Sequence, residues 1–268
     1  GEVVQTTSFV LMNCSIQNYK GIYCRLIEPT TQQGKEDMFL RGDNRFKSSQ
    51  SNFSKILGSP LAYWASEKAL MAYKSKTVST YMDCKSGIMT GSDEYIKLWH
   101  EPEFDSIKFD CHSYLDMGDY KWFPLNSGGG FRKWFGNNSK IVNLQYDGAE
   151  IKRNVKNYRL REKSYYFKEG ITWGRITSAE ITFREAAPGT LFGDAGPIGF
   201  INNGRHYLLG FLSSNVVKAL LQFTNPTLNF QVHDIMDLPL IVNKQQEETV
   251  SKTVMSNIEM SKIDWDSF

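Results

Sequence analysis

None of the eight prolines in this 268-residue chain is adjacent to another. That excludes the short Asn/Asp-Pro-Pro-aromatic turn with which an adenine-amine methyltransferase grips its flipped base. Asn225-Pro226-Thr227-Leu228 is the nearest match, and it lacks both the second proline and the aromatic. Gly193, Gly196 and Gly199 have the wrong spacing for a dinucleotide loop, and no GxSxG or paired-histidine motif occurs. The longest apolar runs, such as Tyr207 to Leu212, fall far short of the roughly 20 residues of a membrane span. Gly1 to Leu11 has neither the basic start nor the cleavage site of a secretory signal. The four cysteines, Cys14, Cys24, Cys84 and Cys111, form no CxxC pair, and the four histidines are scattered. Reduced thiols in a cytoplasmic protein are therefore expected, with no metal site and no membrane partner.

What is present is an uneven distribution of charge. Lys121 to Arg184 holds thirteen Lys and Arg against five Asp and Glu, a local +8 in a chain of net +2, so the remaining residues carry −6. The same segment holds 12 of the 36 aromatics. Cations interleaved with aromatic platforms are the electrostatic and stacking signature of a nucleic-acid binder. The stretch from Lys121 to Gly148, KWFPLNSGGGFRKWFGNNSKIVNLQYDG, concentrates these features. Trp122, Phe123, Phe131, Trp134 and Phe135 offer flat faces, and Gly128, Gly129 and Gly130 would let backbone N–H groups approach an anion.

In chain order, Glu2 to Leu11 and Gly21 to Ile27 read as an antiparallel strand pair, abrupt enough to suggest the end of a sheet that begins earlier. Residues 29–58 read as a linker with one short helix. Ser59-Pro60 predicts a helix start, with Leu61, Trp64, Ala65, Ala69 and Ala72 on its inner face. Met82 to Gly91 reads as a strand, Ile151 to Lys163 as a mobile basic loop, and Tyr165 to Ile181 as strand-like. Tyr207 to Phe223 predicts one helix, with Leu208, Leu212, Val216 and Leu220 four apart. From Asn243 onward the composition predicts another helical segment. The whole reads as an α+β fold: a mixed, antiparallel-rich recognition domain over 59–240 with a few packing helices. The strand pair of a truncated catalytic domain would precede it over 1–28, and a helical segment would follow over 241–268.

Three runs, KWFPLNSGGGFRKWFGNNSKIVNLQYDGAEI, SYYFKEGITWGRIT and YLLGFLSSNVVKALLQFTNPTLNFQVHDIMDLPL, resemble the target-recognition region of the large adenine-specific DNA methyltransferases of the phage-exclusion (BREX) type. They are similar also to fused methylase and specificity proteins with a Taq-like specificity domain. SPLAYWASEK, GIMTGSDEYIKLW and GEVVQTTSFVLMN extend the likeness over nearly the whole chain. The resemblance implies the specificity part of a host-DNA-marking, phage-defence enzyme. Its S-adenosylmethionine and its Asn-Pro-Pro-Tyr motif would belong to a catalytic domain before Gly1, with no cofactor on this chain.

The expected partner is double-stranded DNA, together with the rest of the methyltransferase and other proteins of a defence complex. Arg132, Lys133, Lys140, Lys152, Arg153, Arg159, Arg161, Lys163, Lys168 and Arg175 are the candidates for gripping the DNA backbone. Asn126, Asn137, Asn138, Asn154 and Asn157 are the candidates for reading bases. No catalytic residue is assigned. Two alternatives stand beside this reading: a module whose basic face binds an acidic protein, and a magnesium-dependent nuclease built on Glu150-Ile151-Lys152 with Asp119 or Asp147 upstream.

Overall fold

A computed structural model describes residues 7–177, 180–225 and 227–267, and the chain folds as two units, Gly1–Ala65 and Ser66–Phe268. In the first, the aromatic and β-branched run predicted as a strand does form one, Gly21–Cys24 (β1). Among the described residues its partner is not the preceding run. Residues 7–11 are irregular and exposed, 2–6 lie outside the described residues, and β1 pairs instead with Arg45–Ser48 (β2), antiparallel, with Gly21 opposite Ser48. The stretch expected as a linker thus supplies both that strand and the helix Gln32–Arg41 (α1). Local signals account for the helix: Thr31 Oγ1 accepts from the Gly34 N–H, and Gly42, at φ 78°, closes the far end in the left-handed conformation. Tyr23 stacks on Tyr63 at 4.8 Å with Phe53 edge-on at 5.7 Å, a small aromatic core.

The helix predicted from Ser59-Pro60 begins only at Glu67, as Glu67–Ala72 (α2). Ser66 is the cap, its Oγ accepting from the Ala69 N–H at 3.2 Å, whereas Ser59 sits at φ 49°, away from the extended backbone typical of a serine cap. The larger unit continues with Asp83–Lys85 (β3), Ile96–Leu98 (β4), Trp122–Asn126 (β5), Lys140–Asn143 (β6) and Gln145–Asn154 (α3). Then come Gly170–Trp173 (β7), Phe183–Ala186 (β8), Leu191–Phe192 (β9) and Ile198–Phe200 (β10). One sheet has the order β3-β10-β7-β8 and is antiparallel throughout. The other has the order β4-β6-β5-β9, antiparallel except that β5 and β9 run parallel. Antiparallel and mixed sheets with separate helices make this the expected α+β class.

Helices Arg205–Leu212 (α4), Asn215–Thr224 (α5), Val232–Met236 (α6) and Glu247–Asp266 (α7) complete the chain. Leu209, Leu212, Val217, Leu221 and Val254 from these helices bury against Ile171, Trp173 and Phe183 of the first sheet. All four residues of β7 are buried, and the Trp173 indole N–H donates to the Phe230 carbonyl at 3.1 Å. Phe123, Leu125, Val142, Ile151 and Phe167 form a second core beside the other sheet.

The single helix predicted over Tyr207 to Phe223 is therefore two. Ser214 ends the first by capping the second, its Oγ accepting from the Val217 N–H at 3.4 Å, and the resulting change of direction leaves Val216 60% exposed. The four-residue periodicity crosses that break by coincidence. Ser214→Ala is expected to cost about 1 kcal/mol, read as a lower urea midpoint at unchanged slope.

Candidate nucleic-acid interface

The organising stretch begins inside the protein. Trp122 and Phe123 of β5 are core side chains, Trp122 against Ile107 and Ile141. Neither offers a face to a ligand, because alternate positions of this central strand look into one core or the other. Of the six aromatics of the run, Phe131 and Tyr146 are largely exposed.

Between β5 and β6 the chain passes through a loop whose shape is set by a residue that sequence reasoning passed over. Arg184, on β8 and 1% exposed, donates to the Gly128 carbonyl at 3.2 Å and to the Arg132 carbonyl at 3.5 Å. Beside it Trp134, at φ 70°, bridges β8: its N–H donates to the Phe183 carbonyl at 3.0 Å and its own carbonyl accepts from the Glu185 N–H at 2.9 Å. Gly128 fits because a Cβ there would strike the Ala195 carbonyl, so it approaches the protein's own turn and not an anion. Gly130 faces open space.

The cations fall into distinct groups. Arg132 pairs with Asp264 and lies 5.3 Å over the Trp265 ring, which ties the loop to the end of α7. Lys133 Nζ donates to the Ser213 carbonyl at 3.5 Å. Asp147 gathers Lys152 at 2.6 Å and Lys163 at 3.0 Å. It sits in a left-handed run, Tyr146 to Gly148 at φ 51°, 60° and 70°, which orients its carboxylate toward both ammonium groups. Burial would raise the Asp147 pKa, but the hydrogen bonds from Lys152 and Lys163 outweigh it and hold the group below the ordinary carboxylate range. Lys163 also donates to the Tyr114 hydroxyl at 2.6 Å, and with Lys168 it lines a cleft of about 280 Å³.

A second carboxylate, Asp194, pairs with both Arg159 and Arg175, while Arg161 donates from Nε to the Gly87 carbonyl at 3.1 Å. Burial and the neighbouring Arg159 charge lower the Arg161 pKa. The run expected as a mobile loop is thus anchored. Its first part is α3, with Ile151 in the core, and Arg159 exchanges backbone hydrogen bonds with Met89 at 2.8 and 2.9 Å. Lys140, Arg153 and Lys168 are exposed and make no ion pair among the described residues.

The amides divide similarly. Asn126 is 3% exposed and spends its NH₂ on the Thr172 hydroxyl inside the protein, which removes it from any contact with DNA. Asn137, at φ 63°, donates to the Gly130 carbonyl at 2.9 Å and shapes the glycine loop. Asn154 donates to the Tyr95 hydroxyl at 3.1 Å. Asn138 and Asn157 are exposed, with side chains that make no hydrogen bond among the described residues. Glu150, the acid of the Glu-x-Lys triplet, accepts from Asn143 at 2.9 Å and pairs with Lys121 at 3.7 Å, while Lys152 of the same triplet is committed to Asp147. The triplet is accounted for as scaffold.

No family model matches the chain. Over its full length it is 36% identical, across 285 aligned residues, to "Adenine-specific methyltransferase PglX" of Lacticaseibacillus casei (strain Zhang). It is 35% identical, across 274 residues, to "Adenine-specific methyltransferase BrxX" of Escherichia coli O9:H4 (strain HS). The chain spans 24% and 22% of those two proteins, less than a quarter of the length of either.

Proposed function

We propose that the chain, as a relative of part of two adenine-specific methyltransferases, is the module that finds the target in double-stranded DNA for such an enzyme. Methyl transfer from S-adenosylmethionine would be carried out by another part of the same protein, in host-DNA marking for phage defence. The observation that carries this reading is the end-to-end similarity to those two proteins of a chain that itself has no Asn/Asp-Pro-Pro-aromatic turn. Charge supports it. Among the described residues the ten candidate cations form ion pairs with Asp147, Asp194 and Asp264, and ten less these three leaves a formal excess of seven. Lys140, Arg153, Lys168 and the surplus at Asp147 would hold phosphate.

The salt dependence of binding tests this reading. An excess of seven cations should give log K against log salt a slope no steeper than about −6. Fluorescence anisotropy with a labelled duplex between low and moderate salt measures it, and a flat response would count decisively against DNA binding. A second reading, docking of another protein of a defence complex, is favoured by the exposed Met255, Met260 and Ile263 of α7. Duplex DNA would leave such a contact intact, which separates the two.

A further inference from the structure

The group around Asp194 is built differently from a phosphate grip. Its members come from separate segments: Arg159 and Arg161 from the chain after α3, Arg175 from the end of β7, and Asp194 from the turn between β9 and β10. Each backbone is fixed. Arg159 is paired in both directions with Met89; the Arg175 N–H donates to Ala195 at 2.9 Å and its carbonyl accepts from Phe230 at 2.6 Å; the Asp194 N–H donates to Ile88 at 2.9 Å. The three residues Gly87, Ile88 and Met89 thus hold the arrangement from beneath, through Arg161, Asp194 and Arg159 respectively. The carboxylate lies inside, its side chain 18% exposed; the Arg159 and Arg175 side chains are 42% and 27% exposed, with each Nε buried, so that the outer amino nitrogens are what they can present to a ligand.

For holding phosphate, the carboxylate is a disadvantage. It cancels one positive charge and repels the approaching anion, and a lysine without a partner, such as Lys140, serves that purpose better. For reading a base edge, the balance reverses. A guanidinium whose inner edge is fixed by a carboxylate presents its remaining N–H groups in one plane and one direction, as two adjacent acceptors require. Of the four bases, guanine offers that pair, O6 and N7, in the major groove.

We propose that Arg159 and Arg175, oriented by Asp194, read guanine in the target sequence and that the exposed cations without a carboxylate partner among the described residues, Lys140, Arg153 and Lys168, hold the backbone. The inference rests on the DNA-binding reading above, and it moves base recognition from asparagine to arginine.

The test is enrichment of duplexes from a randomised pool by the 268-residue chain, compared with Arg159→Lys, Arg175→Lys and Asp194→Asn, with thermal unfolding to confirm that each variant is folded. Lysine keeps the charge and loses the planar fork. Each lysine variant is expected to bind unselected duplex within about threefold of the parent chain, with the same salt slope, while discrimination at one guanine position falls about ten- to a hundredfold. Asp194→Asn should move the two readouts in opposite directions, with tighter binding to unselected duplex and weaker discrimination. Lysine variants that enrich the parent's own motif unchanged would overturn the assignment and leave DNA binding standing, as would a parent chain that binds duplex without enriching any sequence. A parent chain that binds no duplex would overturn both readings.

Discussion

Arg184→Ala is expected to destabilise the larger unit by about 3–5 kcal/mol, enough to lower its melting temperature by roughly 10 °C. Two costs add. The truncation leaves a cavity between β8 and the glycine loop, and it deprives the Gly128 and Arg132 carbonyls of their donor. The residue is unusual: burial lowers its pKa to about 10, and no carboxylate pairs with it among the described residues. A charge placed there without a counter-ion is costly, and the two carbonyls are what offset it. Arg184→Met separates the contributions. It fills the volume and removes both the charge and the donors, so its expected cost is smaller, about 1–2 kcal/mol, while the loop still loses its staple. Chemical unfolding of the three proteins orders them. Tryptophan emission reports the loop, because Trp134 lies directly against the Arg184 backbone. If the alanine variant unfolds at the parent's midpoint, Arg184 does not hold the loop.

Arg184 also marks the limit of what could be read from the sequence. It stands in FREA, an ordinary strand tetrapeptide, and its partners are more than fifty positions away. The extended runs behaved as composition predicts: GITW of β7 is a fully buried strand and GIYC of β1 a partly exposed one, because β-branched and aromatic side chains fit a pleated strand. The helical character after Asn243 was equally legible, as α7. What could not be read was pairing. Glu2 to Leu11 was the expected neighbour of Gly21–Cys24, and a polar stretch read as a linker pairs with it, because the α1 caps turn the chain back at that point.

Local ambiguity among serines had the same effect. Ser59 was expected to cap a helix that Ser66 caps instead, and Ser214, inside a run expected to be one helix, caps the second of two. The candidate interface followed this pattern. The excess of cations was visible in the composition, but the carboxylates that pair with them, Asp147, Asp194 and Asp264, lie 5 to 132 positions from the residues they engage. Asn126 shows the reverse error. An amide in an aromatic, basic run suggests recognition, yet β5 is central in its sheet and the amide instead satisfies Thr172.

Gly87→Ala is the second large effect, and it bears on stability and recognition at once. Gly87 has an ordinary φ, so its requirement for glycine comes from space and not from conformation. A Cβ there would lie well inside contact distance of the Phe192 and Gly193 carbonyl oxygens, and both are backbone atoms that cannot rotate away. The 87–89 segment would have to lift from β9. That movement breaks the hydrogen bond from the Ile88 N–H to Phe192 at 2.8 Å and the one from the Asp194 N–H to Ile88 at 2.9 Å, and it carries off the carbonyl that receives Arg161. The expected loss is about 4 kcal/mol or more, at the upper end for a single substitution. Since Asp194 loses its hold on the segment, discrimination between DNA sequences should fall further than stability alone explains. Gly130→Ala is the control. Nothing lies within 4 Å of the added methyl and φ is outside the left-handed region, so stability should stay within about 0.5 kcal/mol of the parent. Equal melting temperatures for the two alanine variants would mean that β9 yields to the 87–89 segment, and the rigid support assigned to the arginines would not exist.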